Sequence, residues 1–142
     1  MNAPTNLGLP KPPPCRRVLI VDDEELLRKV YVLVLSDGLP QCSLDVAANG
    51  AEAVDAFRTA RHDLLIMDLK MPVMDGEAAF KEIQKICEAH GWKMPSVIFC
   101  TGYDVSDTMR ATVKGNPAHC LLMKPIRSAL LLQEVGSRLP AV

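Results

Sequence analysis

The sequence has no long hydrophobic run, no excess of charge of either sign and no closely spaced pair of cysteines. No apolar stretch approaches the roughly 20 residues that a membrane-spanning helix requires. The amino terminus also lacks the apolar centre of a secretion signal. We therefore expect a cytoplasmic protein without a membrane partner.

The balance of charge argues against a nucleic-acid-binding protein. Lysine and arginine together number 16, aspartate and glutamate number 17, and the formal net charge is -1. The longest basic run is Arg16-Arg17. A protein that binds nucleic acid usually concentrates basic residues on one face, and this sequence does not indicate such a patch.

The cysteines and histidines show no spacing typical of metal ligands. The five cysteines are widely separated and include no CxxC pair: Cys15, Cys42, Cys87, Cys100 and Cys120. We expect them to be small buried side chains in a reducing compartment. The three histidines are His62, His90 and His119. We expect all three to lie at the surface or in turns.

The length and the distribution of proline indicate one domain preceded by a tail. With 142 residues and 49% hydrophobic content, the chain can form one sizeable core. Residues 1–15 contain five of the eleven prolines, including Pro12-Pro13-Pro14. This composition predicts a proline-rich disordered tail over 1–15 and a folded domain over 16–142.

From residue 17 onward, short apolar runs alternate with segments of helical periodicity. The predicted strands are 17–21, 43–48, 63–67, 96–100 and 120–123. The first predicted helix begins at the acidic pair 24–25 and ends near 36–38. The other four cover 51–61, 76–89, 105–114 and 128–139. Five successive strand and helix units predict an α/β domain with a parallel sheet covered on both faces.

Polar residues follow four of the predicted strands. Asp22 and Asp23 end the first, Asp68 the third, Thr101 the fourth and Lys124 the fifth. In parallel α/β sheets, ligands bind beyond the carboxyl ends of the strands. We therefore expect these side chains to meet at one edge of the sheet.

The residue types at this edge suit phosphoryl chemistry. Carboxylates are the oxygen ligands that Mg²⁺ prefers. An aspartate such as Asp68 can attack phosphorus and form an acyl phosphate. Lys124 could neutralise charge on the phosphoryl oxygens, and the Thr101 hydroxyl could donate a hydrogen bond to one of them.

Four motifs in chain order resemble the receiver domain of two-component response regulators. They are Asp22-Asp23, the segment Asp68-Leu-Lys-Met-Pro-Val-Met-Asp-Gly76, Thr101-Gly102 and Lys124-Pro125. The resemblance covers about residues 16–139. It implies a flavodoxin-like doubly wound sheet of five parallel strands in the order 2-1-3-4-5 with five helices, and a cis peptide bond before Pro125.

The resemblance also implies roles for individual residues. Asp68 would be the phosphoacceptor, Lys124 the base that binds the phosphoryl group and Thr101 the switch hydroxyl. A magnesium ion would be held by Asp22, Asp23, Asp68 and the main-chain carbonyl of Lys70. The phosphoryl group would come from a sensor histidine kinase or a histidine phosphotransfer protein. Such a domain catalyses its own phosphorylation and slow dephosphorylation and is not usually classed as an enzyme.

Two positions near the site bear on signalling. The family commonly has Tyr or Phe three residues before the lysine, where this chain has Leu121, so we do not expect the usual aromatic rotation. The signal could travel instead through the loop 102–107. Gly102 has no side chain and should leave the site open to phosphodonors and water.

We expect the output to be a protein contact made by the fourth and fifth helices, because the chain stops three residues after the last predicted helix. This interpretation makes the protein a stand-alone, single-domain response regulator. Leu130-Leu131-Leu132 extends the apolar surface of the last helix beyond one face. That helix is either deeply packed or carries an exposed partner surface.

Three alternatives remain at this point. A haloacid-dehalogenase-type phosphatase also needs an aspartate, Mg²⁺ and a lysine, but it has a second aspartate two positions after the nucleophile, where this chain has Lys70. A binding module that has lost phosphorylation would not need the full acidic set. A receiver excised from a hybrid kinase would make the proline-rich leader an interdomain linker.

Overall fold

A computed structural model describes residues 16–140 of the chain. The predicted tail, residues 1–15, lies outside the described residues. The strands are β1 Arg16–Val21, β2 Cys42–Ala47, β3 Leu64–Asp68, β4 Ser96–Thr101 and β5 Cys120–Met123. The helices are α1 Glu25–Gly38, α2 Gly50–Ala60, α3 Gly76–His90, α4 Asp107–Lys114 and α5 Ser128–Arg138.

The five strands form one parallel sheet in the order β2-β1-β3-β4-β5. This confirms the predicted flavodoxin-like fold and its strand order. All five residues of β3 are buried, and so are the last four of β1. Such continuous apolar strands are typical of a parallel sheet that is covered by helices on both faces.

The two faces of the sheet carry separate hydrophobic clusters. Side chains alternate between the faces, so that Leu65 packs with residues of α2 and α3, whereas Ile66 packs with residues of α1 and α5. Among the helical residues, Phe57 and Ile83 belong to the first cluster and Leu35 to the second. Packing of these two clusters fixes where each strand ends along the sheet. It thereby fixes the positions of the polar residues that follow the strands.

Side-chain caps mark the starts of α2, α3 and α4. The Asn49 side chain accepts a hydrogen bond from the Glu52 amide at the start of α2, and Asp75 accepts one from the Ala78 amide at the start of α3. The predicted fourth helix began two residues too early. Ser106 is the cap of α4, because its hydroxyl accepts a hydrogen bond from the Met109 amide.

Helix α5 packs along one face. Leu131 and Val135 are buried, and Leu139 is buried just beyond its end. Leu130 is exposed. The helix is therefore deeply packed along one face, as the first interpretation predicted, and Leu130 lies on its exposed side.

The sequence predicted that the three histidines lie at the surface or in turns, and two of them, which lie in connections between elements, are not at the surface. His62 and His119 are buried, and His90 is exposed. His119 Nδ1 accepts a hydrogen bond from the Val97 amide at 3.0 Å, and His62 Nε2 lies 2.7 Å from Asp45 Oδ2. A polar ring can be buried when a neighbour satisfies its nitrogen, and distant parts of the chain supply these neighbours.

The four cysteines that the structure describes are free. Cys87 and Cys100 are buried, and Cys42 and Cys120 are half-buried, so these four are the small packed side chains that the sequence predicted. Cys15 lies outside the described residues. Among residues 16–140, no helix combines the length and apolarity that crossing a membrane requires.

Candidate functional site

The carboxyl ends of four strands bring the predicted site residues to one edge of the sheet. Asp22 follows β1, Asp68 ends β3, Thr101 ends β4 and Lys124 follows β5. In the sheet these strands lie side by side. The Lys124 amide donates a hydrogen bond to the Thr101 carbonyl at 2.8 Å, which fixes the last of them against its neighbour.

Three carboxylates form the centre of this edge. One oxygen from each of Asp22, Asp23 and Asp68 lies within 4.8 Å of the others. Asp22 and Asp68 are buried, with exposed fractions of 1% and 6%, and Asp23 is exposed. Asp22 Oδ1 also accepts a hydrogen bond from the Glu24 amide at 2.9 Å, which holds the carboxylate in place.

Lys124 is the cation that faces these acids. Its Nζ atom lies 2.8 Å from Asp22 Oδ2 and 3.3 Å from Asp68 Oδ2. The peptide bond between Lys124 and Pro125 is cis, as the resemblance implied. One ammonium group therefore serves two buried carboxylates.

The pKa values of Asp68 and Lys124 follow from this arrangement. Burial raises the pKa of Asp68 to about 6; Lys124 opposes the rise and the charge of Asp22 adds to it. Burial alone would lower the pKa of Lys124, but its hydrogen bond to Asp22 and the charge of Asp68 raise it instead. The negative charge of Asp68 is thus only partly neutralised, because Asp68 shares the Lys124 ammonium group with Asp22.

The donor set fits a magnesium ion. Three carboxylates oppose one ammonium group, so the cluster lacks positive charge, and carboxylate oxygens are the ligands that Mg²⁺ prefers. Asp23 is open to solvent, and Mg²⁺ usually keeps several waters. The Lys70 amide lies 3.4 Å from Asp68 Oδ1, so the fourth predicted ligand residue adjoins the same carboxylate.

A cleft of about 400 Å³ gives access to Asp68 from solvent. Its lining residues are Asp23, Glu24, Asp68, Lys70, Gly102, Tyr103 and Lys124. A Cβ atom at Gly102 would meet no atom within 4 Å, so this side of the cleft is open. Sequence reasoning missed Tyr103, a 65% exposed residue whose only signal is its place two residues after a strand end.

The Thr101 hydroxyl forms its hydrogen bonds with the backbone of Tyr103 and none with Asp68. It accepts a hydrogen bond from the Tyr103 amide at 3.0 Å and donates one to the Tyr103 carbonyl at 3.2 Å. The threonine is buried, and it anchors the start of the loop that leads to α4. Leu121 is partly buried and packs with the cluster that includes α2 and α3.

The loop between β3 and α3 passes tightly over the site. A Cβ atom at Gly76 would overlap the Asp68 carbonyl oxygen, so a glycine is required there. The Gly76 amide donates a hydrogen bond to the Leu69 carbonyl at 3.1 Å, which closes the loop. Within it, Val73 has a positive φ of 71° and is exposed.

Comparison with curated proteins finds relatives of two sizes. The chemotaxis protein CheY of Halobacterium salinarum is 31% identical over 127 residues, which cover 89% of this chain and 98% of that protein. A protein-glutamate methylesterase/protein-glutamine glutaminase of Aliivibrio fischeri is 39% identical over 71 residues, or 50% of this chain, but the match spans only 19% of that longer protein. The chain thus corresponds to nearly all of the former and to a small part of the latter.

Solved structures share the same fold. Chemotaxis protein CheY4 of Vibrio cholerae superposes with a TM-score of 0.69 at 27% identity, covering 87% of this chain and 98% of that one. CheY from Borrelia burgdorferi, in a complex with CheX, BeF3 and Mg, superposes with a TM-score of 0.69 at 26% identity, covering 85% and 87%. The response regulator receiver domain family matches residues 18–136. The chain therefore belongs to the response regulator receiver domains, the CheY-like modules of two-component signalling systems.

Proposed function

We propose that this chain is a phosphoacceptor, in which Asp68 takes a phosphoryl group from the phosphohistidine of a sensor kinase or phosphotransfer protein. The observation that carries the proposal is the position of Asp68 in an open cleft beside Lys124, with two further carboxylates within 4.8 Å. Phosphorylation would then change a protein contact surface on α4 and α5.

The transfer needs a nucleophile and a cation. An Asp68 carboxylate oxygen attacks phosphorus, a new P–O bond forms, and the P–N bond of the donor histidine breaks as the imidazole takes up a proton. With its pKa at about 6, Asp68 is mainly ionised at pH 7 and can act as the nucleophile. The Lys124 ammonium, 3.3 Å from Asp68, pairs with the charge on the transferred group.

Magnesium belongs to the same proposal. Asp22, Asp23, Asp68 and the Lys70 carbonyl would hold the ion, and when bound it supplies positive charge for the phosphoryl oxygens. The CheY of Borrelia burgdorferi, which has the same fold, forms its complex with CheX together with BeF3 and Mg, and this supports a similar requirement here.

The phosphatase alternative has less support. Turnover of phosphate esters by the dehalogenase type requires an acid two positions after the nucleophile, and Lys70 occupies that position in the cleft. A module that has lost phosphorylation would have no need for an accessible Asp68 beside a matched lysine.

The route to the output surface begins at Thr101. Its hydroxyl holds the Tyr103 backbone through two hydrogen bonds, so a hydroxyl that turned toward a phosphoryl group on Asp68 would release this loop. The loop leads directly into α4. Leu121, which has no hydroxyl to expose, need not take part.

Intact-mass measurement tests the proposal. The protein is incubated with acetyl phosphate, with Mg²⁺ or with excess chelator, and we expect a gain of one phosphoryl group only with Mg²⁺. Asp68→Asn should abolish the gain. Asp75→Asn is the matched control, because asparagine also caps α3 and the change of charge is the same. A gain that persists in Asp68→Asn removes the acceptor assignment, and steady turnover of phosphate esters supports the phosphatase.

A further inference from the structure

A second cleft, of about 330 Å³, opens at the opposite end of the sheet, where β3 and β4 begin. Its lining comes from three separate parts of the chain: residues 61–63 before β3, residues 92–96 up to the first residue of β4, and Arg138 and Pro140 at the end of α5. Phosphorylation of Asp68 does not use any of these residues. The cleft, called the basal cleft below, has the size of a site for a small molecule.

The charged residues of the basal cleft are mainly cationic. Arg61, Lys93 and Arg138 line it, with Asp63 as the one acid among its lining residues. The Asp63 carboxylate is already engaged, because its Oδ2 accepts a hydrogen bond from the Arg17 amide at 2.9 Å. Arg138 forms an ion pair with Glu134 through Nη1. Arg61 and Lys93 add positive charge that Asp63 does not balance.

Two polar atoms in residues that line the cleft lack a hydrogen-bond partner within residues 16–140. They are His62 Nδ1 and Arg138 Nε, and both atoms are buried. The other His62 nitrogen faces Asp45, so in the neutral ring Nε2–H donates and Nδ1 presents a lone pair. A buried polar atom without a partner is costly, and a bound ligand can satisfy it.

Trp92 holds Arg61 in position at the cleft. The guanidinium carbon lies 4.6 Å from the centre of the Trp92 ring, and the His90 ring stacks on the same indole at 4.5 Å. The backbone of Arg61 is fixed as well, because it ends α2 in the left-handed conformation and its amide donates to the Phe57 carbonyl at 2.7 Å. The arginine is thus ordered without any ligand.

We infer that the basal cleft binds the phosphate group of a small phosphorylated molecule. An arginine guanidinium presents a planar fork of donors that matches phosphate oxygens, and Lys93 adds a flexible point charge. A phosphate monoester carries about two negative charges and three acceptor oxygens at pH 7, so it matches Arg61 and Lys93 better than a carboxylate does. The site is independent of the acidic cluster at the other end of the strands.

Trp92 is the only tryptophan in the chain, so its fluorescence reports on this cleft. The full chain is titrated with inorganic phosphate and with glycerol 3-phosphate, in chelator and at constant ionic strength, so that the magnesium-dependent site is silent. We expect a saturable fluorescence change with both probes. Acetate should produce none, and an equal response to acetate would overturn the choice of phosphate.

Variants test which residues bind. Arg61→Gln combined with Lys93→Gln should weaken binding at least about tenfold, while Lys29→Gln, at an exposed lysine of α1 that does not line the cleft, should leave the dissociation constant unchanged. Broadening of the phosphorus NMR line of inorganic phosphate gives a second readout that does not depend on the indole. Equal binding by the double variant and the parent, or a response that never saturates, overturns the inference.

Lipid headgroups are a second source of phosphate esters. Sedimentation with phosphatidylcholine vesicles, with and without phosphatidic acid, distinguishes them from soluble molecules. We expect no sedimentation, because the cleft is a recess lined by three separate parts of the chain and is sized for a small molecule. Binding to the phosphatidic acid vesicles that is lost in the double variant would reassign the site to a lipid. None of these binding measurements depends on whether Asp68 is phosphorylated, so this inference and the proposed function can fail independently.

Discussion

The Lys124 ammonium lies 2.8 Å from the Asp22 carboxylate, although 102 positions separate the two residues in the chain. Asp22 is almost completely buried, so its charge depends on this contact. The pair joins the first and last strands of the domain to one site. Changes at Lys124 should therefore affect both stability and phosphorylation.

Lys124→Met should lower the free energy of unfolding at pH 7 by roughly 3 kcal/mol in chelator, because it leaves two buried carboxylates without their cation. The loss should shrink as the pH falls toward 6, because Asp68 without Lys124, which lowers its pKa, takes up a proton at a higher pH than in the parent. Denaturant titration monitored by circular dichroism measures it. Lys29→Gln, which removes an exposed ion pair with Glu25, should change the same quantity by about 0.5 kcal/mol or less. Equal effects of the two variants would contradict this account.

Magnesium should stabilise the folded chain through the acidic cluster. At ten times the dissociation constant, the gain in unfolding free energy is about 1.4 kcal/mol for one site. Asp23→Asn should remove most of this gain while leaving the metal-free protein as stable as the parent, because Asp23 is exposed. Thermal melts over a series of Mg²⁺ concentrations give the comparison. Asp37→Asn, an exposed carboxylate on α1, should retain the full gain.

Gly102→Val should slow phosphorylation without lowering stability. The position lines the cleft beside Asp68, and an added Cβ meets no atom within 4 Å, so a side chain can enter the cleft without a clash. We expect the rate of mass gain from acetyl phosphate to fall several-fold. Loss of the phosphoryl group should slow as well, since water uses the same opening. Unchanged rates would show that donors reach Asp68 by another side.

Gly76→Ala should be strongly destabilising. The new Cβ would overlap the Asp68 carbonyl oxygen and lie 3.0 Å from the Leu69 Cα, and these backbone atoms cannot rotate away. We expect a loss of about 2 kcal/mol or more in unfolding free energy. Gly136→Ala is the control, because its Cβ meets nothing within 4 Å and alanine favours the α5 helix. The control should be neutral or slightly stabilising.

His119 should make the fold sensitive to mild acid. Burial, followed by the charge of Arg138, lowers the pKa of His119 below its usual value. The unfolded chain then binds a proton more readily than the folded chain, so stability is retained above about pH 6.5 and lost as the pH falls. His119→Asn can still accept the hydrogen bond from the Val97 amide but cannot take up this proton.

Between pH 7 and pH 5 we therefore expect the parent to lose more stability than His119→Asn. Urea titrations at matched ionic strength provide the measurement. His62 is present in both proteins, so the comparison isolates the effect of His119. Parallel pH profiles would show that His119 does not control this range.

Much of the fold could be predicted because the strands are short apolar runs that end at charged residues. Asp22, Asp68 and Lys124 each mark such an end, and the rule for parallel sheets then places them together. The predicted start of α4 was two residues early because it followed the apolar Val105, although Ser106 is of the residue type that caps helices. The hydrogen bond from the Met109 amide decides between them.

The contacts between distant residues could not be read from the sequence. His119 meets Val97 from 22 positions away, and His62 meets Asp45 from 17, so the burial of each ring is decided by partners that no local pattern indicates. Arg61 and Trp92 likewise belong to separate connections and carry no motif. The hydrogen bonds between Thr101 and Tyr103 depend on the path of a loop that has no periodicity.

Val73 combines a positive φ of 71° with a β-branched side chain that is 82% exposed, which is an unfavourable pairing of residue and backbone. The Met74 amide donates a hydrogen bond to the Pro72 carbonyl at 2.8 Å, so the main chain on either side of Val73 holds this tight turn and the exposed side chain does not. The apex of the turn is consequently open to redesign. Asparagine or glycine at this position would relax the torsion and give a sturdier protein with the same reactive centre.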